Sequence, residues 1–552
     1  MVAHELAEWP TFQLRMILNK KFNNLFISNL FHMQKFTRLF LTLAVITCFF
    51  SAEAQNRRYL DQVFDEVEVV YGTPQTAFAS NFTILPFLAS QGQLPMTRQP
   101  LLANMYYPKG DTETNRPLIV YIHTGNFFPF PQNGSCSGTL QDSSNVEFAT
   151  RLAKMGYVVA VVNYRQGWNP RDPNELIRRY FLINAAYRGV QDMSTYVRYF
   201  RRSVQDLGNP HGINPDKITL WGQGTGGYLS LASAYLKSYP EIFNTADPLK
   251  FFLTPPLVPQ NVPMVLEQYN GTLTAEGPVT TVDALYNALS QLKIGDTLCV
   301  PNHVGFSSNF ALAVNMGGAL GDSTWMSAGD IPVISYHVDT DPFAPVETDI
   351  LNVPTPVGPQ PVLEVSGSRD LAERAERLGI NDVFKKLLPT QDPYGAFNPS
   401  GHLSYYEFRN TPEDQSSPWE WAAGDNPPST CNQNAVTSKT YIDTIIGYFA
   451  PRACLALELP CQYIVSAKDI TENQVGLSVY PNPAIGSMNF QSNDDAPMRN
   501  LEVIDFTGRN LFTVKNINAS QYELNGQNLL PGMYFVKISF DSGNILKKVL
   551  FY

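Results

Sequence analysis

Between about residue 55 and residue 461 the chain alternates short apolar runs with longer amphipathic stretches. Leu118–Ile122, Tyr157–Val162, Ile218–Trp221, Ala311–Val314 and Val333–Tyr336 are largely apolar, as strands covered on both faces of a parallel sheet must be. Between them, SNVEFATRLAKMG and NAAYRGVQDMSTYVRYFRRSVQDLG space their apolar residues as helices do. The pattern predicts a doubly wound, mostly parallel α/β sheet. Residues 240–309, rich in Pro, Thr and Asn, break the rhythm and read as a cap inserted into that fold. From about Gly476 the period shortens. LSVY, NLEVIDF, MYFVKISF and ILKKVLFY, separated by PNP, TGR, LPG and DSG, predict a small antiparallel all-β sandwich.

The other end of the chain reads as an address. Lys35 and Arg38 precede the apolar run Leu39–Phe50, and Ala52-Glu53-Ala54 supplies the small residues of a cleavage site, with Gln55 as the new N-terminus. A buried helix is the alternative. The run falls short of the roughly 20 residues of a bilayer span, and no other stretch is apolar enough to cross a membrane. Cys48 follows Thr47 rather than the small residue of a lipoprotein signal. The division expected is therefore 1–54 upstream extension and signal peptide, 55–474 α/β domain and 475–552 β-sandwich.

Composition fits that division. Hydrophobic residues at 44% against 16% charged allow a large core. Forty-nine acidic against 39 basic side chains, a net charge of −10, argue against a partner bound through phosphate neutralisation. Beyond the signal lie Cys136, Cys299, Cys431, Cys454 and Cys461. Cys454 and Cys461 are close enough to pair, and the odd count leaves at least one thiol unpaired or intermolecular. No spacing suits a zinc site, so neither metal nor cofactor is expected.

In the C-terminal segment Pro481-Asn482-Pro483 follows the first strand, Asp505-Phe-Thr-Gly508-Arg509 lies in the middle, Gly532-Met-Tyr534 opens a late strand and Lys547-Lys548 precedes the last. This order resembles the type A C-terminal sorting domain of type IX secretion cargo, which implies a partner in that machinery and export across the outer membrane. An adhesive or carbohydrate-binding sandwich is the alternative.

Trp221-Gly222-Gln223-Gly224-Thr225-Gly226-Gly227 sits between a strand and the helical run YLSLASAYLKSYP. Its letters satisfy the dinucleotide fingerprint, but at least two strands precede it. Glu241 and Asp247, the acidic residues about 20 positions on, lie in loop-like sequence. The other reading is a nucleophile elbow flanked by Gly222 and Gly226, which puts Gly224 at the nucleophile position. Ile122-His123-Thr124-Gly125-Asn126-Phe127 resembles the oxyanion loop, Val162-Asn163-Tyr164-Arg165 the end of the next strand, and Gly212–Lys217 the lead-in to the elbow. Together these stretches resemble the α/β-hydrolase superfamily, in its carboxylesterase-like branch, over Leu118 to Cys461.

The resemblance implies a triad in the order nucleophile, acid, histidine. Asp341, before Pro342 in His337-Val-Asp339-Thr-Asp341, is the acid, with Asp339 second and a plain turn cap as the alternative. Of seven histidines, His4 and His32 precede the signal. His123, His211, His303 and His337 sit in other parts of the pattern, which leaves His402. A surface-loop histidine is the alternative there. Gly125, Asn126 and Thr225 are the oxyanion candidates, although Thr124 and Asn126 stand where the family has glycine; a tight turn with no ligand is the competing reading.

Gly224 offers no oxygen to attack with. Thr225 is a poor substitute, being β-branched and out of register with the glycine flanks. The sequence thus predicts an exported hydrolase-fold protein, catalytically impaired, that binds an ester-like, glycan or peptide ligand or serves as a scaffold. It also predicts that Gly224→Ser restores measurable hydrolysis. The alternative is an active carboxylic-ester hydrolase using Thr225 or an activated water.

Overall fold

The computed structural model describes residues 58–552 apart from 82–96, 131–132, 134, 136, 169–172, 285–286, 288–292, 354–358, 410, 412–414, 423–433, 462–470, 506–509 and 528. The segment read as a signal peptide, Cys48, Cys136 and Cys431 fall outside the described residues.

Eight strands form the central sheet: β1 (Val67–Asn81), β2 (Thr97–Pro108), β3 (Arg116–Ile122), β4 (Val158–Val162), β5 (Ile213–Gln223), β6 (Leu312–Met316), β7 (Val333–Val338) and β8 (Tyr405–Phe408). Their order is β1-β2-β4-β3-β5-β6-β7-β8. β1–β2 and β2–β4 are antiparallel, and every later neighbour is parallel. All five apolar runs singled out in the sequence lie in this sheet. The side chains of a strand alternate between faces, and here each face has its own core. Leu118, Val120 and Ile122 of β3 join one cluster with Val158 and Val162. Ile119 and Tyr121 join the other with Val159, Val161 and Trp221.

Helices cover both faces. α1 (Ser143–Lys154) contributes Phe148 and Leu152 to the second cluster, and α5 (Ala435–Ala456) contributes Ile442, Ile445 and Phe449. On the first face lie α2 (Glu175–Gln205), α3 (Thr225–Tyr235) and α4 (Ser368–Leu378). Asn174 starts α2 by accepting from the N–H groups of Leu176 and Ile177, and Asn434 starts α5 by accepting from that of Thr437. Among its described residues the 239–309 stretch has two- and three-residue strands, a four-residue helical turn at Glu267–Asn270 and a 3₁₀ turn at Tyr239–Phe243. Cys454 and Cys461 form a disulfide, and Cys299 is a buried free thiol.

The C-terminal segment folds as two antiparallel sheets. β9 (Ser478–Tyr480), β10 (Ser487–Gln491) and β13 (Gln521–Asn525) form one. β11 (Met498–Asp505), β12 (Asn510–Val514), β14 (Gly532–Phe540) and β15 (Gly543–Phe551) form the other. Met488 and Phe490 from the first share a core with Leu501, Val503 and Val536 from the second. Lys547 and Lys548, which the sequence sets before the last strand, lie inside it.

Among the described residues no helix is long and apolar enough to cross a membrane. Nor is any group of three or more His, Cys, Asp or Glu side chains placed to hold a metal ion.

Candidate functional site

β5 ends at Gln223 and α3 begins at Thr225, so a single residue makes the turn. Gly224 does so at φ 53° and ψ −118°, a region that side-chain-bearing residues enter only with strain. Its flanks are fixed by contact: a Cβ on Gly222 would run into the backbone of Gly226, and one on Gly226 into that of Ile122. The turn has the strained, close-packed geometry expected of an elbow, with glycine at its centre. The space is not vacant. A Cβ built on Gly224 lies 2.8 Å from Thr124 Cβ and closer still to Thr124 Oγ1. The threonine hydroxyl therefore occupies the volume a serine side chain would need.

Thr124 comes from the loop after β3, which runs through left-handed backbone at Gly125 (φ 136°), Asn126 (φ 57°) and Phe127 (φ 54°). The loop is pinned from both sides. Trp168 Nε1–H donates to the Asn126 carbonyl at 2.7 Å, the Phe128 N–H to that of Gly125 at 2.8 Å, and the Gly167 N–H to that of Phe127 at 2.7 Å. Asn126 and Thr225 both line the cavity beneath the elbow. Their backbone N–H groups make no hydrogen bond to the described residues. The Thr225 side chain is engaged: its Oγ1 lies 2.9 Å from the Tyr164 hydroxyl, whose own ionisation burial pushes up to about 12. His123, buried and stacked on Tyr164 with ring centroids 4.9 Å apart, is held below its ordinary imidazole value by desolvation.

Asp341 follows β7 and lines the same cavity, with its side chain 1% exposed. Its oxygens are already used. Oδ1 accepts from the N–H groups of Phe343 at 2.8 Å and Ala344 at 3.1 Å, and Oδ2 lies 3.4 Å from His337 Nε2. His337 Nδ1 in turn meets Ser368 Oγ at 2.7 Å. Ser368, His337 and Asp341 thus form a line of triad residue types, but Ser368 and the His337 ring are wholly buried and neither lines the cavity. They brace the carboxylate. Asp339, the second choice, bonds by its N–H to the Phe408 carbonyl and is likewise absent from the cavity wall.

His402 is not brought to Asp341. It precedes β8, at the N-terminal end of a strand parallel to β7, whereas Gly224 and Asp341 follow the C-terminal ends of β5 and β7. A four-residue strand, about 13 Å long at 3.3 Å per residue, intervenes. His402 Nδ1 instead faces both carboxylate oxygens of Glu376 on α4, each at 3.2 Å. The segment after β8, where a parallel sheet of this order would deliver a histidine to the elbow, contributes Ser416 and Ser417 to the cavity wall. No histidine follows His402 in the chain. Thr124 thus fills the space that a serine side chain at position 224 would need, and among the described residues no imidazole lines the cavity.

Two further features escaped the sequence reading. Thr124 was visible only as a departure from glycine; pairing it with the missing elbow side chain would have shown one change filling the space left by the other. Glu420 lies under the elbow, accepting from Ser137 Oγ at 2.8 Å and from Gln223 Nε2, while the Tyr121 hydroxyl donates to Gln223 Oε1 at 2.6 Å. Burial raises the Glu420 carboxyl to about 8.

The cavity has a volume of about 160 Å³, and Asp341 is the sole charged residue among the described ones lining it. Residues 103–269, which include the loop after β3 and the turn from β5 to α3, match the BD-FAE family model, and residues 478–551 match that of the secretion system C-terminal sorting domain. The chain carries a BD-FAE domain followed by a secretion sorting domain. The BD-FAE domain is of the α/β-hydrolase, esterase-like type, and the sorting domain marks the chain as type IX cargo for secretion and cell-surface export. A thermophilic esterase from Thermogutta terrifontis with propionate bound is similar over 63% of this chain and 89% of its own, at 15% identity and a TM-score of 0.30. The same esterase phosphorylated by paraoxon is similar over 63% and 88%, at 14% identity and 0.29. A bifunctional GH43-CE protein from Bacteroides eggerthii is similar over 64% of this chain and 33% of its own, at 13% identity and 0.29. No curated protein matches the chain.

Proposed function

We propose that this exported hydrolase-fold protein binds a ligand in the pocket under the elbow and does not hydrolyse it as a serine esterase would. The observation that carries the reading is the pairing of Gly224 with Thr124, whose hydroxyl takes the nucleophile's volume. Loss of the nucleophile lowers kcat by about 10⁶-fold in serine hydrolases. Among the described residues no histidine lines the cavity either. Asp341 and the N–H groups of Asn126 and Thr225 remain as the polar end of a binding site. The competing reading, hydrolysis through Thr225 or a water, meets a Thr225 hydroxyl already bound to Tyr164.

The same proposal takes Met33–Ala54 as a signal peptide and residues 55–474 as the ligand-binding body, with its cap at about 240–309. N-terminal sequencing of the exported protein should begin at Gln55. The functional test uses the full-length protein with short-chain acyl esters and a serine-reactive phosphonate. Hydrolysis at background and no labelling are expected. Strong turnover that Thr225→Ala abolishes would sink the reading.

A further inference from the structure

Below the elbow, three separate pieces of chain meet at one carboxyl group. Gln223, the last residue of β5, donates through Nε2 to Glu420 Oε1, and Ser137, from the stretch between β3 and α1, donates to the same oxygen at 2.8 Å. Glu420 itself belongs to 415–422, which contributes Ser416 and Ser417 to the cavity wall. Ser137 is tied onward to the loop after β3: Asn133 Nδ2 donates to the Ser137 carbonyl at 2.7 Å, and Asn126 Nδ2 to that of Asn133 at 3.2 Å. The loop, the turn at Gly224 and part of the cavity wall are thus joined through a single side chain.

That side chain has no cation. Glu420 is 5% exposed. Its Oε1 accepts from neutral groups, and among the described residues no donor bonds Oε2 and no Lys, Arg or His pairs with the carboxyl. Burial pushes Tyr121 on β3 far above the phenol range and holds His123 below the imidazole range, so both are neutral. Asp142, before α1, accepts from the Gly138 and Thr139 N–H groups at 2.7 and 3.0 Å and adds a like charge. Lys439 on α5 is engaged by Glu147 at 3.0 Å and lies over the Trp421 ring. A carboxylate so placed is disfavoured by desolvation, and burial, with Asp142 adding to it, raises Glu420 to about 8.

We propose that the Glu420 proton latches residues 415–422 to the elbow, and that its loss lets this stretch open by itself, taking Ser416 and Ser417 off the cavity wall. The neutral carboxyl keeps both bonds with no charge to hydrate, whereas the carboxylate regains water only by leaving the interior. The closed form holds the proton more tightly than an opened one at the ordinary 4.5. The latch is therefore full below about pH 4.5 and is lost as pH rises through about 8. Trp419, wholly buried against Phe408, and Ser438 Oγ, which donates to the Glu420 carbonyl at 3.0 Å, oppose release. Opening is thus a local excursion of the kind that hydrogen exchange detects.

Amide hydrogen exchange of the full-length protein, followed by mass spectrometry and corrected for the intrinsic rate at each pH, tests it. Protection of the 415–422 amides should fall at least tenfold from pH 5.5 to pH 8.5, and at pH 8.5 should lie at least tenfold below that of β6. Glu420→Gln, which keeps an acceptor and cannot ionise, should cut that fall to below threefold. Protection of 415–422 that does not change with pH, or that equals that of β6 at pH 8.5, would overturn the proposal, and both are read on the wild type alone. So would a folded Glu420→Gln protein that keeps the wild-type fall.

Discussion

Thr124 and Gly224 should behave as one unit, and a double-mutant cycle measures it. Gly224→Ser places a side chain on backbone at φ 53° and ψ −118°, a conformation costing on the order of 1–3 kcal/mol for a residue with a Cβ. It also drives that Cβ to 2.8 Å from Thr124 Cβ and nearer to Oγ1, and overpacking of this kind costs about 1–3 kcal/mol more. The single variant should therefore lose about 2–6 kcal/mol, the sum of the two terms. Thr124→Gly in the same chain removes the second term and leaves the first. The coupling energy expected is then about 1–3 kcal/mol, well outside the roughly 0.5 kcal/mol within which independent sites add. Urea unfolding of the wild type, both single variants and the double variant, followed by far-ultraviolet circular dichroism, yields the four stabilities. Additive losses would refute the argument, because the serine's place would then be open.

Three further outcomes follow from the same geometry. Thr124→Gly/Gly224→Ser/Ser416→His should hydrolyse short acyl esters above background where Gly224→Ser does not; equal rates in assays with p-nitrophenyl acetate would contradict the placement of the missing imidazole. Glu420, raised to about 8 in the fold against an ordinary 4.5, is protonated in the native state between those values. Its contribution is fully present below about pH 4.5 and is lost as pH rises through 8, on the order of 3–5 kcal/mol. Urea midpoints at pH 5, 7 and 9 should fall less steeply for Glu420→Gln. His211, buried between the Tyr107 and Tyr199 hydroxyls, is lowered by desolvation to about 4. The unfolded chain binds the extra proton, so stability present above pH 6.5 is lost as pH falls towards 4, by roughly 3 kcal/mol. His211→Phe should flatten that limb, a change read from midpoints at pH 7 and 4.5.

The sheet was legible because β3 to β7 are buried runs whose apolar character survives in single letters. The elbow was legible because Gly222 and Gly226 answer to contacts that admit no side chain. The histidine was misplaced for a specific reason. β8, Tyr405–Phe408, is a four-residue edge strand carrying Glu407, which pairs with Arg369 and Arg409. It has no apolar run, so the loop before it and the segment after it read alike, and His402 fell on the wrong side. Thr124 was hidden differently. Its meaning lies in its distance to Gly224, a hundred residues away in the chain, which no local pattern encodes.

The bracing of Asp341 bears on how such proteins are recognised. Its carboxylate closes the turn that carries Phe343 and Ala344 to the cavity wall and gives His337 a neighbour inside the sheet. Substituting it would strip two backbone donors of their acceptor at a nearly fully buried position, whatever happens at the elbow. Asp341 therefore has structural work to do that is independent of any turnover at the elbow. In a chain built like this one, an aspartate in the right place testifies to the fold, and only the elbow residue and its histidine testify to turnover.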